Sequence, residues 1–435
     1  MRVVIVGAGP AGLLLGGGLA QLGYSVMVVD RDPGPDAGGR WARRGVMQFE
    51  HAHGFRAQVS GVLREQWPGA YDIWLSMGAE PVDIPLPGGT RVPGGMLSRR
   101  VTFERALRRG AHAAAGLELR HGHVDRLREH GGRVLGCMVE GHMVDADLVV
   151  DASGRAGKLG RPEAGVGGDC GIADVNRTYC LLPGASRGPM SSPIAWFGAF
   201  DGYLVLLFPH ERGHFSLVFV RPTADAALKS LRHDAVFDAA CKAIPALSEW
   251  TDPARSVPTS SAMAGGALRN TYHPQRQVPG LVAVGDSVST TAPTAGRGIA
   301  MAALQVQELL RLLGAGADPE TVAEPFGAWC DREMLPWVAD HVATDSAAVA
   351  RWQGADVDLT RPLPSDLIVA AAATERQLHR YTIPYMTMSA LPATLAEAEP
   401  LARAVYQTGW RPEYAEGPTR DQLVDLIDAT LAAAA

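Results

Sequence analysis

The start of the chain carries the feature that most constrains its fold. An apolar run at residues 3–6 leads into the sequence GAGPAG at residues 7–12, which a helix-compatible stretch follows. A second apolar run at residues 26–29 then ends in Asp30. Short, continuous apolar runs suit strands that are buried on both faces of a parallel sheet. The order of strand, glycine-rich turn, helix, strand and terminal acid predicts a βαβ unit that binds a dinucleotide.

The glycines of this motif have separate mechanical roles. Gly7 makes the tight turn, Gly9 lets the backbone approach a pyrophosphate, and Gly12 lets helix and strand pack closely. The N-terminus of the helix would offer amide donors and a positive dipole end to the phosphates. Asp30 follows Gly7 by 23 residues, so its carboxylate is placed to accept a hydrogen bond from a ribose hydroxyl.

Composition and charge exclude several other classes of protein. The chain of 435 residues is 47% hydrophobic and 20% charged, which argues against disorder. Its net charge is −6 and it has no basic run, so we expect no nucleic-acid partner. Five cysteines without CxxC spacing indicate a reducing compartment and no structural metal. Residues 1–6 lack a signal-peptide layout and no run of 18 apolar residues occurs, so we expect a cytoplasmic protein without a membrane span.

Three later segments add to this first unit. Residues 281–287, LVAVGDS, indicate a buried strand that ends in Gly-Asp, and the sequence PTAGRG follows at residues 293–298 before a helical pattern begins. Residues 147–155, DLVVDASGR, indicate another strand and turn. Residues 100–107, RVTFERAL, suit the first turns of a helix.

Taken in this order, the segments resemble the FAD-dependent monooxygenases of the aromatic-hydroxylase type, the group A superfamily. The stretch at residues 100–107 is similar to the RxxLExxL helix start of that family. The DASGR spelling is the one shared by flavin halogenases, geranylgeranyl reductases and polyene epoxidases, so the chain most resembles that branch. The family's motif GDxxxxxxPxxGxGxxxA is matched by Gly285, Asp286, Pro293, Gly296, Gly298 and Ala302.

The resemblance implies an α/β fold. It would consist of a Rossmann-like FAD-binding domain of the GR2 type, an inserted antiparallel-sheet substrate domain and a helical C-terminal region. The FAD-binding domain would be discontinuous and comprise residues 1–80, 95–165 and 275–325. The substrate domain would comprise residues 81–94 and 166–274, and the helical region residues 326–435.

The resemblance also implies which residues contact FAD. Asp286 would bind the ribityl chain and Arg100 the flavin nucleotide, although Arg100 could instead be an ordinary cation on a helix surface. The helix that starts near Gly298 would point at the pyrimidine edge of the flavin, where a helix N-terminus stabilises negative charge. The expected contacts with FAD are Gly7, Gly9, Pro10, Ala11, Gly12, Asp30, Arg31, Arg44, Arg100, Val124, Asp286, Pro293, Gly296, Gly298 and Ile299.

Aromatic residues of the inserted segment are candidates for an apolar substrate pocket. Residues 203–208 alternate as a strand, a turn follows, and residues 214–220 form a return strand, which predicts a hairpin that roofs the flavin. For each aromatic side chain, ordinary core packing is the competing interpretation. The candidates are Trp196, Tyr203, Phe208 and Phe215.

The histidines give no clear site. The pairs His51/His53 and His121/His123 have HxH spacing, but no carboxylate or cysteine cluster completes a metal site. Residues 44–49, together with His51 and His53, look like the segment that follows the Rossmann unit in the epoxidase-like branch. Because oxygen transfer from a flavin needs no obligatory acid or base, the sequence identifies no catalytic side chain.

The implied activity is that of a flavoprotein monooxygenase that depends on NAD(P)H and O₂. It would hydroxylate or epoxidise an apolar small molecule through a flavin C4a-hydroperoxide, in natural-product metabolism. A flavin-dependent reductase or an oxidative cyclase, acting by hydride transfer without oxygen insertion, is the alternative. A halogenase is disfavoured, because that family uses an early lysine and a WxWxIP signature, whereas this chain has no lysine before Lys158 and no WxW.

The source of electrons stays open at this point. The sequence has no second glycine-rich nucleotide unit, so NAD(P)H would bind transiently to this chain or a separate flavin reductase would deliver the electrons. The DASG spelling departs from the DG of phenol-type hydroxylases, in which the aspartate is linked to nicotinamide use. A monomer and a homodimer are both compatible with the sequence.

Overall fold

The structure of the protein is a computed structural model that describes residues 1–43, 45–86, 89–155, 157, 159, 165–266 and 268–434. Among these described residues, the first part of the chain contains ten strands and four helices. The strands are β1 (Arg2–Val6), β2 (Ser25–Asp30), β3 (Phe55–Arg56), β4 (Glu80–Pro85), β5 (Arg91–Leu97), β6 (Leu117–His121), β7 (Val124–His130), β8 (Arg133–Val139), β9 (His142–Asp145) and β10 (Leu148–Asp151). The helices are α1 (Pro10–Gln21), α2 (Ala57–Gln66), α3 (Pro68–Ser76) and α4 (Arg100–Ala113), with a 3₁₀ turn at Met47–Phe49.

The middle of the chain is rich in strands. They are β11 (Val166–Asp169), β12 (Ile172–Leu181), β13 (Trp196–Phe200), β14 (Tyr203–Pro209), β15 (His214–Pro222), β16 (Ser256–Pro258), β17 (Met263–Gly265) and β18 (Arg269–Tyr272). Two helices, α5 (Asp234–Ala243) and α6 (Pro245–Thr251), lie between β15 and β16, and 3₁₀ turns occur at Glu211–Gly213 and Leu228–Arg232.

The last part of the chain is mainly helical. It begins with β19 (Leu281–Ala283), β20 (Ser289–Thr290) and the 3₁₀ turns Gly285–Ser287 and Pro293–Ala295. Its helices are α7 (Gly298–Gly314), α8 (Ala323–Glu333), α9 (Leu335–Trp352), α10 (Ser365–Ala371), α11 (His379–Met386), α12 (Glu399–Gln407) and α13 (Arg420–Ala434). Two further 3₁₀ segments span Arg376–Leu378 and Pro392–Glu397.

A parallel sheet forms the centre of the nucleotide-binding part. Its strand order is β19-β10-β1-β2-β6, and Ile5 of β1 pairs with Val28 on one side and with Val150 on the other. The turn after β1 therefore opens at the carboxyl edge of the middle strand, where open α/β sheets bind their ligands. This arrangement confirms the expected α/β, Rossmann-like fold.

Helix α1 packs unusually close to its neighbours. A Cβ on Gly17 would collide with the Trp67 ring, and a Cβ on Gly18 would collide with the Leu310 side chain of α7. Glycine is a poor helix former in isolation. Here the loss in helix propensity is offset by the close packing that these glycines allow. Helices α1 and α7 pack against each other, and Leu13 of α1 and Leu309 of α7 belong to the same core.

The inserted antiparallel sheet expected from the sequence is also present. Its strand order is β13-β14-β15-β12-β16, and β17 pairs with β12 as well. One face of this sheet packs against α5, α6 and α13 in a core that includes Phe215, Phe237 and Trp250. The other face contributes Leu206 and Val218 to a smaller apolar cluster.

The C-terminal helices belong to two different cores. Phe326, Trp337 and Tyr406, from α8, α9 and α12, join the core of the parallel sheet. By contrast, Leu423 and Ile427 of α13 pack in the core of the antiparallel sheet, beside α5. None of the helices in the described ranges has the length and apolar character that crossing a bilayer would need.

Candidate functional site

The turn between β1 and α1 packs tightly against the protein at Gly7 and Gly12 and borders open space at Gly9. A Cβ on Gly7, which has φ +112°, would collide with the Ala152 carbonyl, and a Cβ on Gly12 would collide with the Gly7 carbonyl. Packing within the protein therefore demands glycine at both positions. A Cβ on Gly9 would meet nothing within 4 Å. Gly9 thus borders open space at the point where a pyrophosphate would approach the backbone.

The start of α1 suits an anion. Gly9 precedes the helix, and Pro10 and Ala11 begin it. Within the described chain, no side chain caps this end and no acidic residue lies in the first turn. The first amides of a helix need acceptors from outside the helix, and its positive dipole end favours negative charge. The residues of this turn therefore fit the pyrophosphate of FAD.

Asp30 lies at the carboxyl end of β2, with 10% of its side chain exposed. Its Oδ2 accepts hydrogen bonds from the Ala8 amide at 2.5 Å and from Arg43 at 3.1 Å. Its Oδ1 accepts a hydrogen bond from the Asp32 amide at 2.8 Å. Since a carboxylate oxygen has two lone pairs, Oδ1 keeps the capacity to accept a ribose hydroxyl.

A buried ion network supports this corner of the site. Arg43 pairs with Asp30 and with Glu104, and Arg100 pairs with Glu104 at 2.6 Å. Glu104 is fully buried, and its carboxylate accepts hydrogen bonds from both arginines, which are themselves almost completely buried. Burial is the largest single effect and disfavours the charge of Arg43, but the carboxylates of Glu104, Asp30 and Asp32 together outweigh it, so the pKa of Arg43 is raised. Arg100 is therefore a buried, structurally fixed cation and not a surface one.

Arg100 also fixes the protonation of His53. An Nη1 hydrogen of Arg100 points at His53 Nε2, at 3.2 Å, and His53 Nδ1 lies 2.8 Å from the His51 carbonyl oxygen. Because arginine can only donate, Nε2 must accept and the ring proton belongs on Nδ1. Burial, reinforced by the charge of Arg100, holds the pKa of His53 well below its usual range. His53 is accordingly a neutral imidazole.

The second glycine-rich loop meets the first one. Gly285, at φ +68°, and Gly296, at φ +61°, have the left-handed backbone that favours glycine. The Ala11 methyl group lies 2.9 Å from the position of a Cβ on Gly285, so the first turn of α1 touches the Gly-Asp turn. Helix α7 begins at Gly298, where no side chain of the described residues caps it and its first turn has no acidic residue. A second helix N-terminus therefore also suits negative charge.

Two arginines anchor the PTAGRG loop to other parts of the protein: Arg56, from β3, and Arg297, which belongs to the loop itself. Arg56 donates from Nε and Nη2 to the Ala295 carbonyl oxygen, at 3.1 and 2.5 Å. Arg297 lies 4.5 Å from the ring centroid of Trp337 and pairs with Asp340 at 3.1 Å. Since Trp337 and Asp340 belong to α9, this C-terminal helix helps to fix the loop.

A cleft with about 1190 Å³ of empty volume, partly open to solvent, lies beside this loop. One side is rich in glycine and polar residues, and it consists of the residues expected to contact the flavin end of FAD. The opposite side is the apolar face of the antiparallel sheet. The residues of the first side are Arg100, Asp286, Pro293, Gly296, Gly298 and Ile299, and those of the second are Ile172, Leu206, Phe208, Val218 and Val220.

The remaining expected FAD contacts lie near the first turn or outside the described residues. Arg31 is exposed and follows Asp30 directly. Val124 is buried and packs with Val6 and Val29. Arg44 lies outside the residues that the structure describes.

The expectation for the four aromatic residues needs correction, because only one of them lines the cleft. Tyr203 and Phe208 are an odd number of positions apart on β14, so their side chains point to opposite faces of the sheet. Phe208 borders the cleft, whereas Trp196, Tyr203 and Phe215 lie in the core against α5 and α13. For those three, core packing is the correct interpretation.

Reasoning from the sequence did not assign two polar residues, His51 and Asp174, to the cleft. His51 and Asp174 both line it, and His51 Nδ1 lies 3.4 Å from Asp174 Oδ2. The HxH spacing drew attention to His51, but the carboxylate beside it belongs to Asp174 of β12, more than 100 residues further along the chain. No local sequence pattern indicated Asp174. In the described part of the chain, no group of three His, Cys, Asp or Glu side chains could hold a metal ion.

Residues 1–43 match the family described as FAD binding domain. The chain is 32% identical over 167 residues to digeranylgeranylglycerophospholipid reductase 1 of Methanopyrus kandleri, a match that spans 37% of this chain and 41% of that protein. The aligned segment thus covers about two fifths of the reductase.

Solved structures with low identity share the fold over most of the chain. The flavin-dependent brominase Bmp2 is 16% identical, with 94% of this chain and 99% of that chain covered and a TM-score of 0.62. PqsL, a probable FAD-dependent monooxygenase from Pseudomonas aeruginosa, is 16% identical, with 81% and 97% covered and a TM-score of 0.54. The fold implied by the resemblance is thereby confirmed: the chain shares the fold of these flavin-dependent proteins, and its residues 1–43 match the family described as FAD binding domain.

Proposed function

We propose that the protein is an FAD-dependent monooxygenase that hydroxylates or epoxidises a largely apolar small molecule, in natural-product metabolism. The observation that carries this proposal is the cleft, in which the Gly-Asp motif and the start of α7 face the apolar side of the antiparallel sheet. Clefts of this kind, apolar with a few convergent polar groups, are typical of small-molecule sites. The FAD-binding domain would comprise residues 1–80, 95–165 and 275–325, and α13 would belong to the substrate domain, whose core it joins.

The chain itself would bind and orient the reactants. When bound, FAD would supply the redox chemistry and the activation of O₂. The amides at the start of α1 would hold its pyrophosphate, and Asp30 would accept a ribose hydroxyl. The loop around Gly296 and the start of α7 would face the flavin ring. Leu206, Phe208 and Val218 would hold the apolar substrate and keep water away from it.

Electrons would come from NAD(P)H. The described chain has one parallel sheet with one glycine-rich βαβ turn, which FAD would fill. NAD(P)H would therefore bind only transiently at the cleft, or a separate flavin reductase would deliver the electrons. Mixing the FAD-loaded protein with NADPH or NADH under anaerobic conditions distinguishes the two routes, because only direct reduction bleaches the flavin absorption without a reductase.

A second candidate is reduction of a carbon–carbon double bond by hydride transfer. The match to the Methanopyrus kandleri reductase favours it, and an apolar cleft suits a prenyl chain as well as a ring system. Halogenation is less well supported, although the brominase shares the fold. None of the described residues that line the cleft is a lysine. Lys229, in the 3₁₀ turn before α5, and Lys242, in the last turn of α5, are both exposed.

One experiment separates these reactions. The wild-type chain and its Gly9→Val variant, which we expect to fold without binding FAD, are produced in the same host under ¹⁸O₂, and their metabolites are compared by mass spectrometry. A product that carries one ¹⁸O atom and depends on the wild-type chain supports the monooxygenase. A product with two extra hydrogen atoms and no label supports the reductase instead, and a product with two fewer supports an oxidative cyclase.

A further inference from the structure

In the described part of the chain, the apolar wall of the cleft contains one charged side chain. Strands β12, β14 and β15 contribute six residues to the lining, and five of these are apolar. The sixth is Asp174, whose side chain is 8% exposed. A carboxylate in such a place lowers stability unless it is paired, so its presence calls for a partner.

The backbone around Asp174 leaves room for this carboxylate. Gly265 of β17 pairs with Asp174, and a Cβ on Gly265 would collide with Asp174 Oδ1. Arg221 attracts Asp174 electrostatically, but its Nη1 donates to the backbone carbonyl oxygens of Pro222 and Asp225. On the cleft side, His51 Nδ1 lies 3.4 Å from Asp174 Oδ2.

His51 is held in place by a chain of contacts. Its carbonyl oxygen accepts from His53, whose Nε2 accepts from Arg100. A carboxylate beside Nδ1 favours the tautomer with the proton on that nitrogen and leaves Nε2 as an acceptor. Among the described residues, Nε2 of His51 has no hydrogen-bond partner. The ring is 12% exposed, and it is exposed to the cleft.

We propose that His51 determines substrate specificity and that Asp174 positions it. Nε2 of His51 accepts a hydrogen bond from an O–H or N–H group of a substrate whose remaining surface is apolar. The substrate class is thus an alcohol, a phenol or an N–H heterocycle with an apolar body, and not a plain hydrocarbon. The inference rests on the proposed function only in taking the cleft as the substrate site.

Two probes of equal shape test the assignment. 2-Naphthol and 2-methylnaphthalene differ by one hydroxyl in place of a methyl group, and their binding to the FAD-loaded protein is followed by the change in flavin absorbance. A hydrogen bond whose partner would otherwise stay unsatisfied contributes enough for about a tenfold preference for 2-naphthol in the wild-type protein. In His51→Phe, which keeps the aromatic ring, the preference should fall to about one.

Asp174→Val tests the positioning role. We expect this variant to lose most of the preference for 2-naphthol while it binds 2-methylnaphthalene as the wild type does, a pattern that general damage to the cleft would not produce. Gln48→Leu, at another polar residue of the lining, is the matched control and should keep the preference.

The results that would overturn the role of His51 differ from those that would overturn the proposed monooxygenase function. Equal binding of both probes by the wild type, or an unchanged preference in His51→Phe, would overturn the role of His51. Failure of the wild type to perturb the flavin with either probe would overturn the substrate class. A preference for 2-naphthol that disappears in His51→Phe supports the inference even if no oxygenated product is ever found, in which case the monooxygenase proposal alone fails.

Discussion

Arg56, on β3, binds the carbonyl oxygen of Ala295 through both Nε and Nη2, at 3.1 and 2.5 Å. Its Nη1 donates to the carbonyl oxygen of Met386 in α11, so one guanidinium joins the PTAGRG loop to a C-terminal helix. Burial, together with repulsion by Arg297, lowers the pKa of Arg56 to about 10. The side chain therefore remains charged near neutral pH, and its donors hold the loop in the shape that borders the cleft.

Replacing Arg56 by lysine should loosen this loop. Lysine keeps the charge but cannot direct two coplanar N–H groups at one carbonyl oxygen. Because a hydrogen bond from a charged donor contributes about 1.5–3 kcal/mol, we expect Arg56→Lys to weaken FAD binding by about tenfold or more. Quenching of flavin fluorescence during titration measures the dissociation constant. Arg64→Lys, at an exposed position of α2, is the control and should bind FAD normally. Equal affinities for all three proteins would show that the loop keeps its shape without Arg56.

The glycines of the first turn should respond differently to the same substitution. Gly9 has φ −78° and open space around its missing Cβ, so Gly9→Val should fold, with a loss of about 1 kcal/mol at the helix cap, but should lose FAD. Gly12→Val would force a side chain into the Gly7 carbonyl and should unfold the βαβ unit. Circular dichroism melts of the proteins without FAD, followed by FAD titration, separate the two effects. A Gly9→Val protein that stays yellow would contradict the placement of the pyrophosphate.

The first βαβ unit could be predicted because its parts are contiguous in the chain. Gly7, Gly9 and Asp30 lie within one strand–turn–helix–strand segment, and each has a local backbone or charge requirement. The substrate side of the cleft could not be predicted in the same way. Alternation along β14 places Tyr203 and Phe208 on opposite faces, but it does not say which face meets the cofactor loops. That choice depends on α5 and on α13, which is distant in sequence.

The pairing of His51 with Asp174 shows the same limit. His51 lies in an irregular segment whose position depends on buried contacts of Arg100 and His53. Asp174 lies in a strand in which most residues, Asp174 included, are buried. Neither residue has a periodic or spaced neighbour that predicts the other. Only the packing of the antiparallel sheet against the glycine-rich loops brings them to 3.4 Å.

Two phenylalanines test the assignment of sheet faces. Phe215 is fully buried and stacks on Tyr179 with ring centroids 5.2 Å apart, so Phe215→Ala should lower the free energy of unfolding by about 3–5 kcal/mol. Phe208 is partly exposed at the cleft, so Phe208→Ala should destabilise much less but should weaken 2-methylnaphthalene binding several-fold. Urea unfolding and probe titration measure the two effects. If Phe208→Ala were the more destabilising variant, the faces would be assigned the wrong way round.

Acid should destabilise the fold through buried neutral histidines, and His210 is the clearest case. It is 1% exposed, its Nε2 lies 2.9 Å from Ser216 Oγ, and burial lowers its pKa to about 4 despite the attraction of Glu211. In the unfolded chain a histidine titrates near 6.5. Above that pH both states are neutral and His210 has no effect, whereas below it the unfolded chain takes up a proton first.

The free energy of unfolding should therefore fall between about pH 6.5 and pH 4, and His210 should account for at most about 3 kcal/mol of the loss. His53 should act in the same direction, because burial also lowers its pKa. In His210→Gln the difference between urea unfolding at pH 7 and at pH 4.5 should be smaller than in the wild type. His142→Gln, at an exposed position, should leave that difference unchanged. If His210→Gln lost as much stability in acid as the wild type does, His210 would have to be protonated, or exposed to water, in the folded protein.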